Sequence, residues 1–258
     1  MLCREIMDVI ERTYPKHAAL EWDNVGLLVG RAEKEVKRIY VALDATDDVI
    51  GAAIKMGADM LITHHPLIFS PLKRITDEEF IGNRVVKLLQ HDISYYAMHT
   101  NYDVLGMAEL SGKILGLHEE DVFEVTDVEA HVGIGRIGTL ECEMTLEECC
   151  NLVKNAFGLE AVTLFGDKYA IVKRAAISPG SGKKMTGIAI EKGAQVLITG
   201  DIDHHEGIDA VSQGLAVIDA GHYGLEHIFI EDIARYLQNA LKEVVVERAE
   251  IAHPFQII

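Results

Sequence analysis

A chain of 258 residues, 49% hydrophobic and 25% charged, carries enough apolar material for one large folded domain or two modest ones, and its composition is neither disordered nor fibrous. With 41 acidic against 24 basic side chains the formal net charge is −17. That balance argues against nucleic acid or an anionic lipid surface as a partner, because both need clustered Lys and Arg. No apolar run reaches the roughly 18 residues of a membrane span. The opening MLCREIMDVIERTYP has no apolar core of the kind a signal peptide needs. Cys3, Cys142, Cys149 and Cys150 lack metal-ligand or disulfide spacing. The expectation is a cytoplasmic protein with reduced thiols and no membrane association.

Residues 4–14 place Ile6, Met7, Val9 and Ile10 at helical spacing, and Pro15 stops the pattern. Strand and helix then alternate. Arg38–Leu43 reads as a short apolar strand, Thr46 caps a helix running to Met56, and Asp59–Thr63 is a second strand. A helix over 80–90 and a third strand over Ile93–Met98 follow. Strands apolar on both faces and separated by helices predict a mostly parallel sheet covered on both sides.

The acidic stretch between His118 and Ala130 marks the expected boundary of two lobes, a first over 1–125 and a second over 126–258. The second lobe opens with a glycine-rich strand over His131–Leu140 and a helix capped by Thr145, and its C-terminal segment is expected to contribute to a metal cleft. It repeats the first. Gly57–Thr63 matches Gly193–Thr199 at an offset of 136, and the same offset aligns Arg38 with Arg174 and Val41 with Ile177. Two similar three-layer α/β/α lobes related by internal duplication are therefore predicted, with ligands at the carboxyl ends of their strands.

Histidine placement carries the chemistry. His64 and His65 follow a buried strand directly, so the two-residue period of a strand would point them to opposite faces. At the strand end, with Pro66 pushing His65 toward an extended or turn conformation, they could instead reach two ions a few ångströms apart. The third strand leads into His99-Thr-Asn-Tyr-Asp103, and the strand Ala216–Ala220 into Gly221-His-Tyr-Gly-Leu-Glu226. There His222 and Glu226 stand four apart on one helical face. His64, His65, Asp103, His222 and Glu226 are too many ligands for one open catalytic ion and suit two. Nitrogen and oxygen donors without thiolate favour Zn, Mn, Fe or Ni. Glu226, on a rigid helix start, is the expected bridge. His204, His205 and His99 are candidates for orienting ligands or transferring protons, that is, for catalytic roles. Ser178-Pro-Gly-Ser-Gly-Lys-Lys184 is a glycine-rich turn whose amides could cradle a phosphate, without the spacing of a P-loop.

Five ordered stretches resemble the NGG-one-interacting-factor-three-like family, whose members are often called GTP cyclohydrolase I type 2 homologues. They are Glu21-Trp-Asp-Asn-Val-Gly-Leu-Leu28, Thr63-His-His-Pro-Leu67, His99-Thr-Asn-Tyr-Asp103, Gly200-Asp-Ile-Asp-His-His205 and Gly221-His-Tyr-Gly-Leu-Glu226. The family's metal ligands carry over onto His64, His65, Asp103, His222 and Glu226. The resemblance further implies a two-lobed protein with two divalent metal ions per chain between its lobes, assembled as a toroidal homohexamer with the sites facing an internal cavity. This chain lacks the extra domain that longer members insert between the lobes. The implied activity is metal-dependent hydrolysis of a nucleotide such as GTP, by cyclohydrolase-like ring opening. A non-enzymatic metal-handling or regulatory oligomer is the alternative.

Overall fold

The computed structural model describes residues Met1–Ile258. In chain order it runs through α1 (Cys3–Thr13), β1 (Gly26–Val29), β2 (Arg38–Ala42), α2 (Asp47–Met56), β3 (Met60–Thr63), α3 (Phe80–Gln90), β4 (Ser94–Ala97) and the short α4 (Thr100–Tyr102). A π-helical turn over Asp103–Met107 leads into α5 (Ala108–Leu115), β5 (His118–Asp127), β6 (Val132–Thr145), α6 (Leu146–Phe157), β7 (Thr163–Phe165) and β8 (Ile171–Ser181). Then follow α7 (Met185–Glu191), β9 (Val196–Gly200), α8 (His204–Ser212), β10 (Ala216–Asp219), α9 (His222–Glu226), α10 (Ile228–Ala240) and β11 (Val245–Arg248).

The chain divides into two compact units, Met1–Tyr102 with Phe229–Ile251, and Asp103–Ile228 with Ala252–Ile258. The break falls after Tyr102 where the sequence pattern suggested 125/126, and a later segment returns to the first unit. The acidic stretch is not a linker. It forms β5, paired antiparallel with β6, with Val122 and Phe123 buried and the carboxylates on its exposed ends. Charge on an edge strand keeps other chains from pairing with it, which accounts for the composition without a boundary.

In the first unit the strand order is β1-β4-β3-β2-β11, parallel except for the antiparallel edge strand β1. Leu61 and Tyr95 pack with Ile50 and Ala53 of α2 and Val85 and Leu88 of α3. Adjacent strand residues face opposite ways, so Tyr96 points to the other layer. Its hydroxyl donates to Glu11 of α1 at 3.0 Å, and Tyr236 of α10 donates to the Val9 carbonyl at 2.8 Å. Helices therefore cover both faces.

The second unit orders its strands β5-β6-β8-β9-β10-β7, with a parallel centre of β8, β9 and β10 and antiparallel strands on either side. Ala176, Leu197 and Val217 pack with Ala189 of α7 and Ala210 of α8. Gly200, one strand position out of phase with that cluster's residues, backs onto α9.

The repeat seen in sequence is a repeat in register. Ile39 pairs with Met60 and Val41 with Ile62, while Ala175 pairs with Val196 and Ile177 with Ile198, every member displaced by the same offset. Details recur with it. Gly57 and Gly193 are both left-handed, at φ 69° and 71°. The Asp59 carboxylate accepts from the Lys37 and Arg38 amides, as the Gln195 side-chain oxygen accepts from those of Lys173 and Arg174. In both units an antiparallel edge strand pairs with the outer parallel strand, β1 with β4 and β7 with β10.

The thiols fit packing roles. Cys3 and Cys149 are buried, Cys150 is half-buried and Cys142 is exposed. Burial pushes the Cys3 and Cys150 thiols up and that of Cys149 to about 12. A thiol buried this way is inert, because the thiolate is the nucleophile. A thiol reagent at pH 8 is expected to label one cysteine per chain promptly and none in Cys142→Ser; a second prompt thiol in the native chain would contradict the burial argument.

Candidate metal centre

In the first unit, parallel strands deliver chemistry to their carboxyl ends. His64 and His65 follow β3 at once, and His99 lies two residues beyond β4. The ligating atoms of the three lie within 4.8 Å of one another. Their ring centroids are 4.9 Å (His64–His65), 5.2 Å (His64–His99) and 5.7 Å (His65–His99) apart. The strand periodicity that would have turned His64 and His65 to opposite faces does not apply, because both stand past the last residue of β3.

Each ring is held from behind through the same nitrogen. His64 Nδ1 is 2.8 Å from the Met98 carbonyl oxygen, His65 Nδ1 is 2.7 Å from Asp44 Oδ1, and His99 Nδ1 is 2.8 Å from Asp23 Oδ1. An imidazole that donates from Nδ1 to an acceptor presents Nε2 as its basic, metal-ligating atom. The Asp23 side chain is 0% exposed and also accepts from the Thr100 amide and hydroxyl at 2.9 and 2.6 Å. Burial alone would push its carboxyl up, but the hydrogen bonds from His99 and Thr100 together outweigh burial and hold it at about 2. Phe229 walls the cluster on one side, its ring 5.2 Å from that of His64.

In the second unit, β10 runs into α9, whose one turn sets His222 Nε2 3.0 Å from Glu226 Oε2. His222 Nδ1 is 2.7 Å from Asp201 Oδ2, the third imidazole backed by a carboxylate. Burial alone would lower the His222 pKa; Glu226 and Asp201 override it and raise it to about 9. Two glycines make room. A Cβ on Gly180, at φ +80°, would stand 2.6 Å from Glu226 Oε1, and one on Gly200 would stand 2.5 Å from the His222 amide nitrogen. Asp103, half-buried, opens the π-helical turn, a distortion frequent at functional sites.

His204 and His205 open α8, exposed and with rings 5.2 Å apart, and belong to none of the metal-capable groups. The glycine-rich stretch 178–184 is mostly strand, since β8 extends to Ser181, and the Lys184 amide already donates to Glu206 Oε1 at 2.7 Å. A phosphate cradle there is not what the backbone builds. Sequence reasoning passed over Asp23, Asp44 and Asp201. Asp23 and Asp201 lie inside quoted stretches, and Asp44 is a carboxylate just past an apolar strand at the same sheet edge. The donors are three imidazoles in the first unit and the imidazole and carboxylate of His222 and Glu226 in the second, without thiolate, which fits a divalent ion such as Zn, Mn, Fe or Ni.

The family model for Duf34/NIF3 (NGG1p interacting factor 3) matches residues 1–254. The chain belongs to the Duf34/NIF3 family. It is 35% identical to a Clostridium perfringens protein named GTP cyclohydrolase 1 type 2 homolog, covering 100% of both chains. A Lactococcus lactis protein of the same name is 36% identical with 99% of each covered. Among solved structures, a NIF3-related protein of Bacillus cereus superposes with a TM-score of 0.94 at 26% identity, covering 100% of this chain and 99% of that one. Reduced HcgD from Methanocaldococcus jannaschii gives 0.85 at 30% identity over 96% and 97%. The NIF3 fold is thus common to the whole chain. No helix of it is long and apolar enough to cross a membrane.

Proposed function

We propose that this NIF3-family chain is a metal-dependent hydrolase of nucleotides such as GTP, with His64, His65, Asp103, His222 and Glu226 holding two divalent ions per chain in a cytoplasmic toroidal homohexamer. The observation that carries the reading is the backing of all three proposed ligand imidazoles through Nδ1, the Met98 carbonyl behind His64, Asp44 behind His65 and Asp201 behind His222. Metal-ligating histidines are held this way, through the ring nitrogen that faces away from the ion. The substrate class comes from the relatives named GTP cyclohydrolase 1 type 2 homolog.

Ions bound there would acidify a water and polarise the bond under attack. The chain's own groups do the rest. Asp44 and Asp201 fix two ligand rings, Glu226 offers a buried carboxylate to the ions, and His99, steadied by Asp23, would serve as the proton-transfer group. Protein loaded in turn with Zn, Mn, Fe and Ni and screened against nucleotides is expected to release formate from GTP, and His65→Ala to lose that release. Protein that retains its ions yet is inert toward every nucleotide with all four metals overturns the hydrolase reading in favour of metal handling or regulation.

A further inference from the structure

The first unit exposes two large aromatic rings beside its histidine cluster. Trp22 is 62% and Phe69 54% exposed. They are not scattered surface residues: the rings lie within 16° of parallel with centroids 6.3 Å apart, and each meets His99 edge-on, at 5.9 and 5.5 Å. The aromatic surface therefore ends on an imidazole that faces His64 and His65.

The loops that carry the rings are tied down on both sides. Leu20's amide donates to Thr100 Oγ1 at 2.8 Å, and the buried Asp23 carboxylate, next to Trp22, is fixed by His99 and Thr100. Leu67's amide donates to the Tyr95 hydroxyl at 2.8 Å, and Asn24 Nδ2 crosses between the loops to the Ile68 carbonyl at 2.6 Å. Rings left in water but held in place by their backbones are what a binding anchor needs, since little ordering cost remains when a ligand arrives.

We propose that Trp22 and Phe69 form a stacking platform for the planar heteroaromatic ring of the substrate, a purine base, with its far edge laid toward His99. The inference deepens the nucleotide reading above and rests on it. Near-parallel ring faces suit a flat π-system, and a platform that stops at a polar imidazole suits a ring carrying heteroatoms better than an aliphatic or peptide ligand.

Trp22 is the single tryptophan of the chain, so its fluorescence reports the platform directly. Zn-loaded full-length protein titrated with guanosine 5′-monophosphate is expected to show saturable quenching, and ribose 5-phosphate none. Phe69→Leu is expected to weaken the nucleotide roughly tenfold or more. By equilibrium dialysis Trp22→Leu should do the same and Trp22→Phe should keep most of the affinity, with metal content and thermal melting unchanged throughout. Absence of saturable quenching at millimolar nucleotide, or native affinity in both Leu variants, overturns the platform. So does a drop in assembly mass in those variants without a change in binding, which would make the rings a contact between copies. Formate release, read in parallel, separates the two claims. Base binding without turnover leaves the platform standing and removes the hydrolase, while turnover untouched by the Leu variants removes the platform alone.

Discussion

Glu226→Gln is expected to hold one divalent ion or none, against the two proposed for the native chain. The carboxylate is buried and shares its space with His222 Nε2, so the amide keeps the volume while removing the charge that a cation must find there. Two weaker variants grade the effect. Asp201→Asn leaves every proposed ligand in place but takes the charge from behind His222 Nδ1, and should cost about 10- to 100-fold in metal affinity. Gly180→Ala adds a methyl 2.6 Å from Glu226 Oε1 at a φ of +80° that side chains rarely adopt, so the carboxylate must move. Elemental analysis after dialysis, with chelator competition for affinity, checks all three. Two ions held at native affinity by Glu226→Gln would remove this residue from the site.

In the first unit β2, β3 and β4 were legible because each is a short apolar run followed by a change of pattern. Thr46, for instance, caps α2 by accepting from the Val49 amide, as its place before two acidic residues predicts. The duplication was legible too, and more deeply than apolar similarity alone would allow, because the pairing register and the polar clamps at Asp59 and Gln195 share its offset. The return of Phe229–Ile251 to the first unit was not. A parallel strand such as β11 adds to the edge of β2 across two hundred residues, and local pattern carries no trace of which edge a late strand will choose. The acidic edge strand misled for a related reason, since exposed charge looks the same in a linker and on a sheet margin. At the site, the histidines announced themselves by standing at strand ends. The carboxylates behind them did not, because Asp23 and Asp201 reach rings that are distant in sequence, and only the folded chain shows which aspartate meets which nitrogen.

Asp23 is where that hidden support matters most for stability. Its buried carboxylate collects three donors, His99 Nδ1–H and the Thr100 amide and hydroxyl, and Asp23→Ala would leave all three in a dry setting. Unsatisfied buried donors cost about 1–3 kcal/mol each before any relaxation. A loss of roughly 3–5 kcal/mol is expected for Ala, and about 1–2 for Asn, which keeps the volume and one acceptor. The pH dependence follows from the depressed carboxyl, about 2 in the folded chain against an ordinary 3.8. The folded state binds this proton less readily than the unfolded state does, so Asp23 stabilises the fold by about 2 kcal/mol at neutral pH. That contribution is fully present above the unfolded value, begins to fade as the pH falls below about 4, and is gone once the folded carboxyl protonates near 2. Urea unfolding of native protein and Asp23→Asn at a series of pH values should give curves that differ by a constant amount above pH 5 and converge toward pH 2. A difference that stays constant down to pH 2 would show that the carboxylate's charge plays no part in holding His99 and Thr100 together.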